Sequence, residues 1–266
     1  MTQYVFLGHD VDWRKQGASL EHIMARKERF EPSVLEECDK KNPYYNIPDY
    51  MEIEEKFGVK STFFFRTKYE DGDFADYEDD IRSLIDGGWE VGLHLDPSSI
   101  DDTKKILEEK TKLESISKTK IKSNRVHYLG FNDDLPNKLQ ELGFVYDSSV
   151  RRSKDRIDEN EMGYLKYGNL IEFPITIMDA YLFTHMKIKE EQIIPTFEST
   201  LNLGRKVNDS FNVITVIWHD NVLKMKGGRM FVYPTSEVCN HQVSSSLRTA
   251  SLTTADTRYH AIAVSL

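Results

Sequence analysis

Short apolar runs recur along the chain, and polar stretches with helical spacing separate most of them. Two such stretches are 75–86 and 101–116, and in the second the apolar residues Ile106 and Leu113 lie on one helical face. Strands that alternate with amphipathic helices indicate a parallel sheet with crossover helices. We therefore predict an α/β domain whose strands lie within residues 4–8, 59–65, 89–93, 125–129, 144–146, 170–177 and 211–218.

Two segments depart from this alternation. Residues 14–57 are polar and contain Pro32, Pro43 and Pro48, which predicts an insertion of helices and loops over the rim formed by the first strand. The last 36 residues contain eleven Ser or Thr, no Lys and four charged side chains. We predict a domain over 1–228 and an atypical, poorly ordered tail over 229–266. A change of reading frame near Gly227 is the alternative origin of this tail.

Composition and charge exclude several classes of protein. A chain of 266 residues, 39% of them hydrophobic, suits one large domain. No apolar run approaches the roughly 18 to 20 residues of a membrane span, and the N-terminus does not resemble a signal peptide, so we expect a cytoplasmic protein. The net charge of −9 argues against a nucleic-acid partner. With only two cysteines, any metal would be held by His, Asp or Glu.

The most informative motif is His9-Asp10-Val11-Asp12, which follows the first apolar run. Acid side chains just past the carboxyl end of a strand lie at the catalytic rim of a parallel sheet or barrel. Closely packed carboxylates cost free energy unless they share a cation or a proton. The motif therefore indicates a cation site, and a capping Asp is the structural alternative.

Other strand ends add residues to the same rim. His94 ends the run 89–93, and an Asp/His set suits a borderline cation such as zinc. Strand alternation predicts that Arg125 and His127 share a face, where the guanidinium would hold a nearby carboxylate ionised. His219 ends the last apolar run and brings a titratable imidazole, which Asp179 is available to orient.

Six segments, taken together and in order, resemble the polysaccharide deacetylases over roughly residues 4–220. They are the motif at 9–12, Val59–Phe65, Gly88–His94, Arg125–Tyr128, Tyr146–Ser149 and Trp218–Asp220. The resemblance implies a distorted (β/α) barrel of about seven parallel strands and a divalent metal, with zinc expected. One departure is Ser98, which stands where the family has a second His ligand.

The resemblance also implies roles for these residues. Asp12 and His94 would hold the metal, with His127 as the third ligand and Asp96 or His9 as alternatives. Which of Asp10 and Asp12 is the base stays open, because Val11 separates them.

In the mechanism that the resemblance implies, Asp10 accepts a proton from water while Arg125 keeps it anionic. His219, oriented by Asp179 or Asp147, protonates the leaving amine. The expected activity is removal of an N-acetyl group from an amino sugar or glycan precursor. Alternatives are hydrolysis of another C–N or ester bond on the same barrel, or a non-catalytic carbohydrate-binding relative.

Overall fold

The computed structural model describes residues 2–207, 211–228, 248–251 and 260–265. Its strands are β1 (Thr2–Val11), β2 (Thr62–Phe65), β3 (Glu90–Leu95), β4 (Ser123–Val126), β5 (Tyr146–Asp147), β6 (Leu165–Tyr167), β7 (Leu170–Glu172), β8 (Ile177–Met178), β9 (Phe211–Ile217), β10 (Arg248–Ser251) and β11 (His260–Ser265). Its α-helices are α1 (Leu20–Met24), α2 (Pro32–Glu36), α3 (Ile47–Phe57), α4 (Glu78–Asp86), α5 (Thr103–Ser117), α6 (Leu135–Glu141), α7 (Asp179–Thr184) and α8 (Ile193–Val207).

Neighbouring strands run parallel through most of the sheet, in the order β8, β9, β1, β2, β3, β4, β5, β7. β6 adds antiparallel to β7 at one edge. Helices connect the strands, for example α3 between β1 and β2, and α4 between β2 and β3. This curled, mostly parallel sheet confirms the predicted α/β barrel class. The carboxyl ends of the parallel strands consequently meet at one rim.

Two apolar cores lie on opposite faces of the sheet. Phe63 and Phe65 of β2 pack with the helices in a large core, whereas Phe64 between them belongs to a small cluster with Phe6 and Tyr146. This division follows the period-2 alternation of side chains along a strand. We call the face of the small cluster the inner face.

The same alternation orients the motif at the end of β1. Val5, Leu7 and Val11 pack in the large outer core, and Phe6 lies on the inner face. Asp10, four residues after Phe6, points inward, and Asp12 follows two residues later. The intervening Val11 thus places both carboxylates on one side of the chain, and His9 on the other.

The segment 14–57 reaches the far side of the rim. An antiparallel bridge joins Phe30 to Met225, just after β9. In addition, the Asn46 side-chain amide donates to the carbonyl of Asp220 at 2.9 Å. These contacts hold the segment against the carboxyl end of β9, beside the candidate site.

Most of the tail predicted over 229–266 lies outside the described residues. Within it, β10 and β11 form an antiparallel pair, and β11 pairs with Thr2–Val5 of β1. The domain boundary and the poor order of the tail stay predictions. No helix among the described residues is long and apolar enough to cross a membrane.

Candidate active site

Asp12, His94 and His127 form a compact group of potential metal ligands at the rim. The Oδ1 atom of Asp12 lies 3.1 Å from His94 Nε2 and 3.2 Å from His127 Nδ1. The two imidazole nitrogens are 3.1 Å apart. Burial alone would raise the pKa of Asp12, but the two imidazoles beside it hold it well below its usual range. The group therefore offers an ionised oxygen and two nitrogens around one point.

These three residues fit a zinc-like cation. Ligand bonds of about 2.0–2.2 Å around a tetrahedral ion leave neighbouring ligand atoms roughly 3.3 Å apart, close to the separations above. The Nδ1 atom of His94 donates to the Arg125 carbonyl at 2.9 Å, which orients Nε2 toward Asp12. Such a backbone acceptor behind the ring is usual for a histidine ligand. Among the described residues, no other group of this kind was found.

His127 reaches the group by a route that strand alternation did not predict. The strand expected over 125–129 ends at Val126, and His127–Leu129 form a short 3₁₀ turn. Within this turn Tyr128 and Leu129 have left-handed backbones, with φ of 59° and 57°. The predicted shared strand face is therefore wrong for His127, since the turn after the strand delivers its ring to Asp12.

Asp10 and Arg125 form a buried ion pair on the inner face. Arg125 Nη1 donates to Asp10 Oδ1 at 2.7 Å, and its Nε and Nη2 donate to Ser148. The guanidinium also lies over the Phe64 ring, 4.2 Å from its centroid. A Cβ at Gly8 would come within 2.7 Å of Nη1, so glycine leaves the room that Arg125 occupies. Burial would raise the pKa of Asp10, but Arg125 and the nearby histidines lower it.

His219 enters from β9 and is held by Asp179. Its backbone N–H donates to Asp179 Oδ2 at 2.7 Å and its Nδ1 to Oδ1 at 2.6 Å. The Nε2 atom lies 3.7 Å from Asp12 Oδ2 and 4.0 Å from Asp10 Oδ2. Burial would lower the pKa of His219, but the Asp179 carboxylate, with Asp12 and Asp10, raises it to about 10. The Asp179 carboxylate therefore favours the protonated imidazole, which is the form that can donate a proton.

Three residues weighed for the site lie elsewhere. His9 points to the outer face, where Nε2 contacts Glu54 at 2.9 Å and Nδ1 donates to the Trp218 carbonyl. Asp96 accepts hydrogen bonds from Ser98. Asp147 pairs in register with Asn124, one residue before Arg125 on β4, and so faces outward, away from His219.

The sequence pattern alone did not lead us to the buried Glu54. Besides His9, its carboxylate accepts from Ser61 Oγ at 2.8 Å and Trp89 Nε1 at 2.6 Å. The signal was present in α3, where Ile47, Tyr50 and Glu54 keep helical spacing on the buried face. An acid within an apolar stripe indicates a buried carboxylate whose charge is balanced by hydrogen-bond partners.

Two cavities open on either side of Asp12, which lines both. The Tyr128 cavity, of about 530 Å³, is lined by Trp13, Arg14, Arg66, Tyr69, Glu70 and Tyr128 among others. The Lys226 cavity, of about 360 Å³, is lined by Arg29, Phe183, His219, Val222, Met225 and Lys226 among others. A substrate that reaches Asp12 can therefore extend in two directions.

Comparisons with known proteins give a fold but no sequence relative. No protein-family model and no curated protein matches the chain. A protein assigned as a polysaccharide deacetylase from Mycobacterium smegmatis aligns with 90% of this chain and 84% of its own, at 20% identity and a TM-score of 0.59.

Two further solved structures each align with 90% of this chain and 85% of their own. They are the Puue allantoinase, at 11% identity and a TM-score of 0.62, and a protein assigned as a polysaccharide deacetylase from Pseudomonas aeruginosa, at 12% identity and the same TM-score. The chain thus has a polysaccharide-deacetylase-like fold.

Proposed function

We propose that this chain is a metal-dependent hydrolase that removes an N-acetyl group from an amino sugar or glycan precursor. The observation that carries the proposal is the position of Asp12. It lies between histidines that have different surroundings. Its Oδ1 atom faces His94 and His127, and its Oδ2 atom faces His219. Hydrolysis of an amide needs both an electrophilic centre and a proton donor for the leaving amine.

The geometry favours Asp12 as the ligand and Asp10 as the base. Asp12 Oδ1 lies within 3.2 Å of both imidazoles, whereas Asp10 Oδ1 is held by Arg125. The second oxygen of Asp10 faces His94 and His219 at 3.8 and 4.0 Å, on the side where a substrate carbonyl would lie. When bound, a zinc-like cation held by Asp12, His94 and His127 supplies Lewis acidity to that carbonyl.

The remaining steps use the chain's own side chains. Asp10 accepts the proton of the attacking water, and Arg125 keeps Asp10 anionic until then. His219, protonated and oriented by Asp179, donates from Nε2 to the leaving amine. Acetate and a free amine are the products.

A second candidate reaction uses the same residues. Hydrolysis of another C–N bond, such as that of a cyclic amide, is consistent with the similarity in fold to an allantoinase. Such a reaction also needs a base, a cation and a proton donor for nitrogen. The two candidates differ in product, because opening a ring releases no acetate.

The test is an assay of acetate release from a panel of N-acetylated amino sugars. Purified chain is stripped with chelator and assayed before and after addition of Zn²⁺. We expect acetate release that depends on the metal and is lost in His94→Gln. Consumption of a cyclic amide without acetate release from any sugar would favour the second candidate. Stoichiometric metal binding without turnover of either class would overturn both and support a non-catalytic binding protein.

A further inference from the structure

Two cations, Arg29 and Lys226, line the wall of the Lys226 cavity. The N–H of Lys226 donates to the Arg29 carbonyl at 2.8 Å, next to the bridge between Phe30 and Met225. This isolated bridge joins the backbone of a 3₁₀ turn that ends at Arg29 to the turn that contains Lys226. Both line the cavity that His219 also lines. The cavity wall thus carries two positive residues on the side of the proton donor.

This arrangement leaves positive charge without a matching acid. The Nε atom of Arg29 is 3.9 Å from the carboxylate of Glu28, and both side chains are at least half exposed, so the attraction is weak. Lys226 has no ion pair among those found within the described residues. Asp12 is the one acid of the cavity wall, and it belongs to the ligand group.

A neighbouring lysine shows the contrast. Lys224, two residues before Lys226, pairs with Asp49 at 2.6 Å and does not line the Lys226 cavity, whereas Lys226 lines both that cavity and the neighbouring one that contains Asp49. The cations of the Tyr128 cavity are also neutralised, because Arg14 pairs with Asp71, and Arg66 with Glu70. Among the described cations that line the two cavities beside Asp12, Arg14 and Arg66 thus have close acidic partners, whereas Arg29 and Lys226 do not.

We propose that the Lys226 cavity binds an anionic group, a phosphate or a carboxylate, carried by the amino-sugar part of the substrate. This inference rests on the proposed function, because His219 protonates the leaving amine and so defines the side on which the sugar lies. An anion bound between Arg29 and Lys226 would accept charge-assisted hydrogen bonds from both. The preferred substrates are therefore acidic N-acetyl amino sugars.

The experiment compares neutral and acidic substrates on matched variants. N-acetylglucosamine, its 1-phosphate and 6-phosphate esters and its uronic acid are assayed for kcat/KM. Arg29→Met, Lys226→Met and their double variant are compared with Lys224→Met, which removes the same charge from outside the cavity. We expect an acidic ester or acid to exceed the neutral sugar. Each cavity variant should lower that preference about tenfold, the effect of losing one charge-assisted hydrogen bond.

The separate arms identify the anion, since preference for a phosphate ester or for the uronic acid names the group that binds. Equal kcat/KM for neutral and acidic sugars in the wild type would overturn the inference while leaving the proposed function intact. So would a preference that Lys224→Met lowers as much as Lys226→Met does.

A binding measurement decides the inference even if no acetate is released. Calorimetric titration with glucosamine 6-phosphate, glucosamine 1-phosphate, glucosaminuronic acid and glucosamine measures the affinity for the leaving product directly. We expect tighter binding of an acidic product, weakened about tenfold by Lys226→Met and not by Lys224→Met. Equal affinity for all four products, or an acidic preference that survives the double variant, would overturn it.

Discussion

The two carboxylate oxygens of Asp12 face histidines that differ in what lies behind the ring. On the Oδ1 side, the Nδ1 atom of His94 donates to a neutral carbonyl, that of Arg125. On the Oδ2 side, the Nδ1 atom of His219 donates to a carboxylate, that of Asp179. Two histidines therefore lie 3.1 and 3.7 Å from the same carboxylate, but their rings have different electrostatic surroundings.

The difference separates ligand from proton donor. With Nδ1 donating to a carbonyl, a neutral His94 ring carries its lone pair on Nε2, which is the form that binds a cation. The charge of Asp179 instead favours the doubly protonated ring of His219, whose pKa is raised to about 10. The partner of Nδ1, more than the position of the imidazole, sets the role of each histidine.

The largest expected effects come from Asp10→Asn, because Asp10 is both the proposed base and the ion-pair partner of Arg125. Loss of the base should lower turnover by roughly 10²–10⁴. The fully buried Arg125 would then lack its counter-ion, which we expect to cost about 3–5 kcal/mol in the free energy of unfolding. Steady-state kinetics and urea unfolding measure the two effects.

A double variant separates these effects of Asp10→Asn. Adding Arg125→Met removes the unpaired charge, so we expect stability to recover in part while turnover stays low. Turnover near the wild-type level in Asp10→Asn would exclude Asp10 as the base.

Asp179→Asn should act on the proton-donor side alone. His219 works as an acid only while protonated, so activity falls as pH rises through its pKa. The carboxylate of Asp179 raises that pKa, and removing its charge should move the alkaline limb of the kcat profile to lower pH. Turnover should fall by no more than the roughly 10²–10⁴ that a general acid contributes.

Asp147→Asn is the matched control for Asp179→Asn. It removes a carboxyl group of the same kind from the outer face, where it contacts Asn124. We expect an unchanged kcat profile. If the profile of Asp179→Asn stayed unchanged as well, Asp179 would not tune His219.

A smaller effect is expected on the ligand side, at the turn after β4. The left-handed backbone of Tyr128, φ 59°, costs a residue with a side chain about 1 kcal/mol or more, and its ring is 83% exposed. Tyr128→Gly should therefore raise the melting temperature by about 2–4 °C. Tyr128→Ala also removes the ring but keeps most of the backbone strain, so calorimetry should place it below Tyr128→Gly. The reverse order would show that the turn is unstrained.

Strand ends and side-chain alternation were readable from the sequence. Asp10, His94 and His219 were each placed at the carboxyl end of an apolar run, and parallel strands bring those ends together. The spacing of Asp10 and Asp12 also implies that both lie on one face, because residues two positions apart in a strand point to the same side. These features depend on local pattern and on a simple rule of topology.

Other features depend on contacts that local pattern does not encode. Two consecutive left-handed residues without glycine, Tyr128 and Leu129, give no sequence signal for the turn that delivers His127. The pairing of Arg29 with Lys226 joins segments almost two hundred positions apart through one bridge. Asp147 stayed an alternative to Asp179 for orienting His219, because the face on which Asp147 lies depends on its register with β4.

The central claim, that Asp12 divides a ligand side from a proton-donor side, is tested most directly by metal content. Wild type, His94→Gln and His219→Gln are loaded with Zn²⁺, desalted and analysed for bound metal, and acetate release is measured on the same samples. We predict that His94→Gln loses the metal. His219→Gln should keep a stoichiometric amount while its turnover falls by roughly 10²–10⁴. Loss of metal from His219→Gln would make His219 a ligand and contradict the division.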